Sequence, residues 1–355
     1  MSRPIFAQID TLALQHNLSV IRQHTPHARI MAVVKANAYG HGLALAARAL
    51  WDADGFAVAT IDEAVQLRDL GWIKPILLLE GLFSAVDIPL CSTHQLSLVI
   101  HHSEQINWLR AARLTRPLSV FVKFNSGMNR LGFKHDAYRV ALAQIQSIPA
   151  LSPITLMSHF ATADDTHGVT AQLDNIQKCF ALLPYPVSLA NSAALLRYPD
   201  TQRDWVRPGI ALYGASPFAD TSAASLNLRP VMTLHSQIIA IQTLKAGEAL
   251  GYGQLWLADR ETRVGIVACG YADGYPRHAV TGTPILVNGV RTRTLGRVSM
   301  DMLFVDLTAI PNAHIGSPVI LWGQGLPVEE VATAAGTISY ELLCARAQRV
   351  PDQVV

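Results

Sequence analysis

Short apolar runs alternate with amphipathic stretches from the N-terminus to about Pro217. PIFAQI reads as a strand, and Asp10 opens a helix, TLALQHNLSVIRQH, in which Leu12, Leu14, Leu18 and Ile21 can share one face. ARIMAVVK is the second strand and LALAARALW the next helix. GFAVAT leads into a helix with Thr60 and Glu63 at capping-box spacing, which Gly71 ends. PILLLE follows as another strand, SLVI, SVFVKF, ITLMSHF and VSLANS continue as apolar strands, each of these four followed by a helix or a short helical turn, and GIALYG reads as the last strand. Strands that are apolar throughout and separated by amphipathic helices imply a parallel sheet covered by helices. Seven or eight such units predict a closed (βα)8 TIM-type barrel. A doubly wound open sheet is the structural alternative, but GxGxxG is absent after the first strand.

The texture changes near Leu226. MTLHSQIIAIQTL alternates, ILVNGVRTRTLG centres a tight hairpin on Asn288-Gly289, and MLFVDL and PVILWG extend the series. Only VEEVATAAG and SYELLCARA look helical there. The pattern predicts two domains, a barrel over 1–225 and a mainly antiparallel β domain over 226–355.

Composition narrows the function classes. Half of the 355 residues are hydrophobic and only 15% are charged, so much surface should be buried, in part between subunits. The net charge of +2 has no basic run, which argues against nucleic-acid or acidic-membrane partners. The N-terminus lacks a signal-peptide pattern and no run suits a membrane span, so a cytoplasmic location is expected. Cys91, Cys179, Cys269 and Cys344 are isolated, and the 13 histidines are dispersed. Neither a disulfide framework nor a metal site is expected.

In a parallel barrel, chemistry sits at the carboxyl ends of the strands, so polar residues that end apolar runs are the candidates. These are Lys35 and Tyr39 after the second strand, Lys123, Asn125 and Arg130 after SVFVKF, His159 after ITLMS, Asn191 and Ser192 after VSLA, and Arg207. An ammonium is costly to bury, and a Schiff base with a carbonyl cofactor removes its charge. A lysine, hydroxyls beside glycine-rich backbone for the phosphate, and an arginine or carboxylate for the ring nitrogen are what pyridoxal 5'-phosphate requires. Alone, a strand-end lysine is more often simply solvated, and Asn-Ser at a helix start is more often only a cap.

AVVKANAYGHG, GMNRLGF, MSHFATAD, DWVRPGIALYG, GYGQ, GYADGYPR, GRVSMDM and ISYELLC occur in this order between Ile5 and Pro351. With them the sequence resembles the bacterial alanine racemases. The resemblance implies a homodimer with shared active sites, pyridoxal phosphate as cofactor, and interconversion of L- and D-alanine, for peptidoglycan precursors or for alanine catabolism. It implies that Lys35 holds the cofactor as an internal aldimine and is the base on the D-substrate face. Tyr252 is then the base on the L-face, reaching the site from the partner subunit. Arg207 faces the pyridine nitrogen with His159 hydrogen-bonded to it, while Tyr39, Ser192, Gly209, Ile210 and Tyr340 hold the phosphate. Arg130 and the Met300 backbone receive the substrate carboxylate, and Tyr271 belongs to the substrate entrance. Lys123 matches a lysine that is carbamylated in some members. Here the chain departs from the family pattern, with Asn125-Ser126 where aspartate and threonine are common.

The chemistry agrees with these roles. Inverting an α-carbon needs a base on each face, and free lysine and tyrosine titrate near pH ~10, so both must be tuned by their surroundings. A guanidinium keeps its proton, so an arginine would donate to the ring nitrogen rather than protonate it, which favours quick reprotonation over transamination. A broad-specificity racemase is the nearest alternative. A decarboxylase would be expected to carry a glutamate in place of Arg207, and a non-catalytic pyridoxal phosphate carrier would lack the β domain.

Overall fold

A computed structural model describes residues 3–355. Eight parallel strands close into a ring: β2 (Arg29–Val33), β3 (Gly55–Val58), β4 (Ile76–Leu78), β5 (Ser97–Ile100), β6 (Leu118–Lys123), β7 (Leu151–Met157), β8 (Val187–Ser188) and β9 (Trp205–Val206). Arg29 pairs with Trp205 and closes the ring. β3, β4 and β5 are buried at every position, as strands covered on both faces must be. The helix Ile61–Asp69 begins with the expected capping box, Thr60 accepting from the Glu63 N–H while the Glu63 carboxylate accepts from the Thr60 N–H.

The antiparallel part is a second ring. β10 (Met232–Leu244) pairs with β17 (Pro318–Trp322) through its first half and with β13 (Thr262–Val267) through its second. β14 (Pro284–Val287), β15 (Val290–Leu295) and β16 (Leu303–Asp306) complete the circuit, and β11 (Ala249–Leu250) with β12 (Trp256–Leu257) forms a separate ribbon. Asn288 and Gly289 have φ of 52° and 75°, the left-handed pair that the tight β14–β15 turn requires. One continuous buried apolar cluster, from Leu14 and Phe56 to Ile285 and Trp322, runs through both parts.

Three element assignments need correction. β1 (Phe6–Ile9), read from PIFAQI as the first barrel strand, lies antiparallel to β10 and parallel to β18 (Asp352–Val354). Its burial alternates, with Ala7 and Ile9 inside and Gln8 half-buried, the pattern of a strand buried on one face only. GIALYG is not a strand: Ile210–Tyr213 form a 3-10 turn that Gly214 ends at φ 79°. A short, wholly buried apolar run has no period that separates strand from turn. The eighth barrel strand is instead Trp205–Val206, two residues behind a polar stretch. In the first helix, Thr11–His24, Leu14, Leu18 and Ile21 are buried but Leu12 faces solvent.

Candidate active site

At the C-terminal end of the barrel strands lies a cavity of about 690 Å³. Lys35, Tyr39, Lys123, Arg130, His159, Asn191, Ser192 and Arg207 line it, as the strand-end reading expects, whereas Asn125, the remaining strand-end candidate, does not; Gly209, Ile210 and Tyr340, which only the resemblance implied, line it as well. Tyr252, Tyr271 and Met300 do not line it, and in the single chain they are 72%, 38% and 53% exposed.

Immediately after β2 the backbone turns left-handed. Ala36, Asn37, Ala38 and Tyr39 have φ between 52° and 54°, a conformation that costs L-residues roughly 1–2 kcal/mol each. Several contacts hold it. The Asn37 N–H donates to the Glu63 carboxylate at 3.3 Å, and the Asn37 amide oxygen accepts from the Leu43 N–H at 2.8 Å. His41 Nδ1 lies 3.0 Å from the Ala38 carbonyl and 2.9 Å from that of Tyr39, so this nitrogen carries the proton. Burial lowers the His41 pKa to about 4, which keeps the ring neutral. Gly40 closes the turn at φ 79°, and a Cβ there would sit 2.1 Å from the Leu343 carbonyl oxygen. That close approach seats the helix Ser339–Cys344 on the turn and brings Tyr340 and Cys344 to the cavity. Tyr39 stacks on Tyr213 at 4.6 Å, and Tyr213 donates to the Val33 carbonyl at 2.9 Å.

Arg207 is 4% exposed. Its terminal nitrogens donate to Ser188 Oγ and to the Ser158 and Leu189 carbonyls, and His159 Nδ1 lies 3.4 Å away. Burial lowers the Arg207 pKa to about 10, so the group stays cationic near neutrality. Among the described residues Arg207 Nε–H has no acceptor. Burial, and then the neighbouring cations Arg207, Lys123, Arg130 and Lys35, hold His159 well below its usual range, hence neutral. Ser192 follows the cap Asn191, whose side chain accepts from the Ala194 N–H. The Ser192 hydroxyl turns the other way and accepts from the N–H groups of Gly209 and Ala211.

Lys123 is 7% exposed, and burial followed by Arg207, Arg130 and Lys35 lowers its pKa to about 8. In the unfolded chain a lysine titrates near ~10.4. The unfolded state therefore binds more protons between the two values, and the native state gains stability as pH rises through that window. Lys123→Met should flatten this gain: denaturant unfolding of the two proteins from pH 7 to 10 should give a stability difference that changes with pH, and a constant difference would refute the shift. Asn125 does not engage Lys123. Its side chain braces its own loop, accepting from the Gly127 and Asn129 N–H groups.

Sequence reasoning missed Glu80, the one carboxylate that lines the cavity among the described residues. It ends the apolar run PILLLE, so the same strand-end rule would have found it. His41 and Asn37 escaped because what they hold is a backbone conformation, which has no signature in hydrophobic periodicity.

Four cationic side chains against one carboxylate among the described residues, at the C-terminal end of a parallel barrel with an appended antiparallel unit, are the site of an α/β-barrel enzyme whose ligands carry anionic groups. Residues 9–217 match the family model "Alanine racemase, N-terminal domain", and residues 231–354 match "Alanine racemase, C-terminal domain". Proteins named alanine racemase from Nitrosospira multiformis and Thiobacillus denitrificans are 54% and 58% identical to the chain. The first match covers 99% of both chains, and the second covers 99% of this chain and 96% of the relative. The crystal structure of biosynthetic alanine racemase from Pseudomonas aeruginosa superposes with a TM-score of 0.98 at 48% identity, covering 99% of each chain. The chain belongs to the alanine racemase family and is an isomerase.

Proposed function

We propose that the cavity holds pyridoxal 5'-phosphate and that L- and D-alanine are interconverted there by two opposed bases, Lys35 and Tyr252. The observation that carries this reading is the cavity wall itself, in which Lys35, Lys123, Arg130 and Arg207 are opposed, among the described residues, by Glu80 alone. Such a wall suits two anions, a cofactor phosphate and a substrate carboxylate. The residues also fit the group in their donors: a Cβ on Gly209 would come within 2.4 Å of Tyr39 Oη, so glycine lets the Tyr39 hydroxyl lie against this stretch of backbone.

Lys35 would carry the cofactor through Nζ. Tyr39, Ser192, Gly209, Ile210 and Tyr340 would hold its phosphate, and the free Arg207 Nε–H would donate to its ring nitrogen, with His159 alongside. When bound, the cofactor withdraws electrons from the α-carbon and makes its proton labile. Lys35 then takes or returns that proton on the D-face, and Tyr252 does so on the L-face. Arg130 and the Met300 backbone N–H orient the substrate carboxylate, and Tyr271 flanks the entrance.

Tyr252, Tyr271 and Met300 are exposed in one chain and absent from its cavity. A homodimer in which each copy supplies them to the other's cavity accounts for both facts. Its working units are 1–225 and 226–355, with Phe6–Ile9 adding to the sheet of the second. The lowered pKa of Lys123 leaves neutral amine near neutrality, as carbamylation by carbon dioxide requires: the amine nitrogen bonds the carbon and a proton is released. No helix among the described residues is long and apolar enough to cross a membrane. A cytoplasmic enzyme that supplies D-alanine for peptidoglycan, or feeds alanine catabolism, fits this reading.

The test is a screen of L-amino acids with the purified protein and pyridoxal phosphate, read by chiral chromatography. Alanine should racemise fastest. Comparable rates with long or charged side chains would replace this reading with a broad-specificity racemase.

A further inference from the structure

The opposite, N-terminal end of the barrel holds a second cavity, of about 750 Å³. Barrels of this kind usually fill their interior with layers of branched apolar side chains. Here the lining includes Ser97, Ser119 and Thr155, on three adjacent strands. Gly55 adds no side chain, since a Cβ there would meet the Met31 sulfur at 2.6 Å. Ser97 and Thr155 are 5% and 4% exposed. Among the described residues, neither hydroxyl, nor that of Ser119, has a hydrogen-bond partner in the protein.

The charge around this cavity has one sign. Arg29, Arg68 and Lys74 line it, and no aspartate or glutamate does so among the described residues. Arg68 is held by the carbonyls of Trp72, Lys74, His94 and Gln95, and Lys74 by those of Trp51 and Ala53. Two carboxylates of the flanking loops are engaged elsewhere, Asp54 by Arg22 and the Ile30 N–H, and Asp204 by the Val187 N–H. The Arg29 guanidinium lies 4.2 Å from the centre of the Trp205 ring and has no acceptor among the described residues. A positive field between low-dielectric walls concentrates anions, and a free planar guanidinium matches a carboxylate or phosphate.

We propose that this cavity is a second ligand site, distinct from the catalytic end of the barrel, for a small organic oxyanion bearing hydroxyl groups. Arg29 takes the carboxylate or phosphate, and Ser97, Ser119 and Thr155 bond the hydroxyls. The site lies at the far end of the same strands, Ser119 and Lys123 both belonging to β6, so ligands of the two ends do not compete.

The test is calorimetric titration of the holoenzyme, in an equilibrated mixture of L- and D-alanine at constant ionic strength, with glycerol 3-phosphate and separately with citrate. Saturable binding of either supports the site, and the one that binds tells phosphate from carboxylate as the anionic group. Arg29→Gln should weaken binding by about tenfold or more, and Ser97→Leu, which replaces a lining hydroxyl by an apolar branch, should weaken it too, both with racemisation retained. No saturable binding of either probe would mean a mouth that holds only water, and would overturn the proposal. Equal affinity in wild type and Arg29→Gln would place the anion elsewhere and overturn it too, even if Ser97→Leu failed to fold.

Discussion

Lys35→Ala should lose racemisation by about 10³-fold or more, together with the visible absorbance of the bound cofactor. The loss is large because one side chain is assigned two tasks, attachment of the cofactor and proton transfer on one face, and general acid–base catalysis alone is worth about 10²–10⁴-fold. Neither task passes to a neighbour. Lys123, the other lysine lining the cavity, stands on β6, four strands from β2 in the ring, while Lys35 is fixed by the left-handed turn that follows β2. Absorbance and activity should fall together while the fold, followed by circular dichroism, stays intact. A Lys35→Ala protein that kept full activity would remove the basis of the proposed mechanism.

Tyr252→Phe should slow racemisation by about 10²–10⁴-fold while the cofactor stays bound, because only the hydroxyl is lost. Since L- and D-alanine have equal free energies, kcat/KM must fall equally in both directions, so steady-state rates cannot show which face is affected. Exchange of the α-proton with heavy water can. It should persist from D-alanine, on the Lys35 face, and be suppressed from L-alanine; equal suppression from both would count against two opposed bases. The same variant tests the shared site. A heterodimer of Lys35→Ala and Tyr252→Phe chains has one doubly defective cavity and one intact one, so random mixing of two nearly inactive proteins should restore about a quarter of wild-type activity. No recovery on mixing would mean that each chain uses its own Tyr252.

Much of the cavity wall was legible because a parallel barrel converts a rule about sequence into a rule about space. Polar residues that end apolar runs lie at one end of the ring, so Lys35, Lys123, His159 and Arg207 converge although as many as 172 positions separate Lys35 from Arg207 (207 − 35). The same rule pointed at Glu80, which went unread. The misplaced strands fail for a related reason. The apolar character of PIFAQI and GIALYG marks burial, but not which partner buries them, and the pairing of Phe6–Ile9 with β10 depends on residues more than 220 positions away (232 − 9 = 223).

By itself, the sequence determined the alternation of buried strands and amphipathic helices, the change to antiparallel pairing near Leu226, and most of the polar side chains, Glu80 excepted, that line the cavity at the C-terminal end of the barrel. These follow from local periodicity and from motifs read in order. The tertiary structure decided what depends on contacts between distant segments. Gly40 meets Leu343 and so draws Tyr340 to Tyr39, Arg207 is locked by Ser188, Ser158 and Leu189, and Lys123 loses part of its basicity to burial among three cations. It also separated the residues that one chain brings to its own cavity from Tyr252, Tyr271 and Met300, which it does not. Strand periodicity records which face of a segment is buried, whereas the approach of two segments is fixed only when the whole ring has closed.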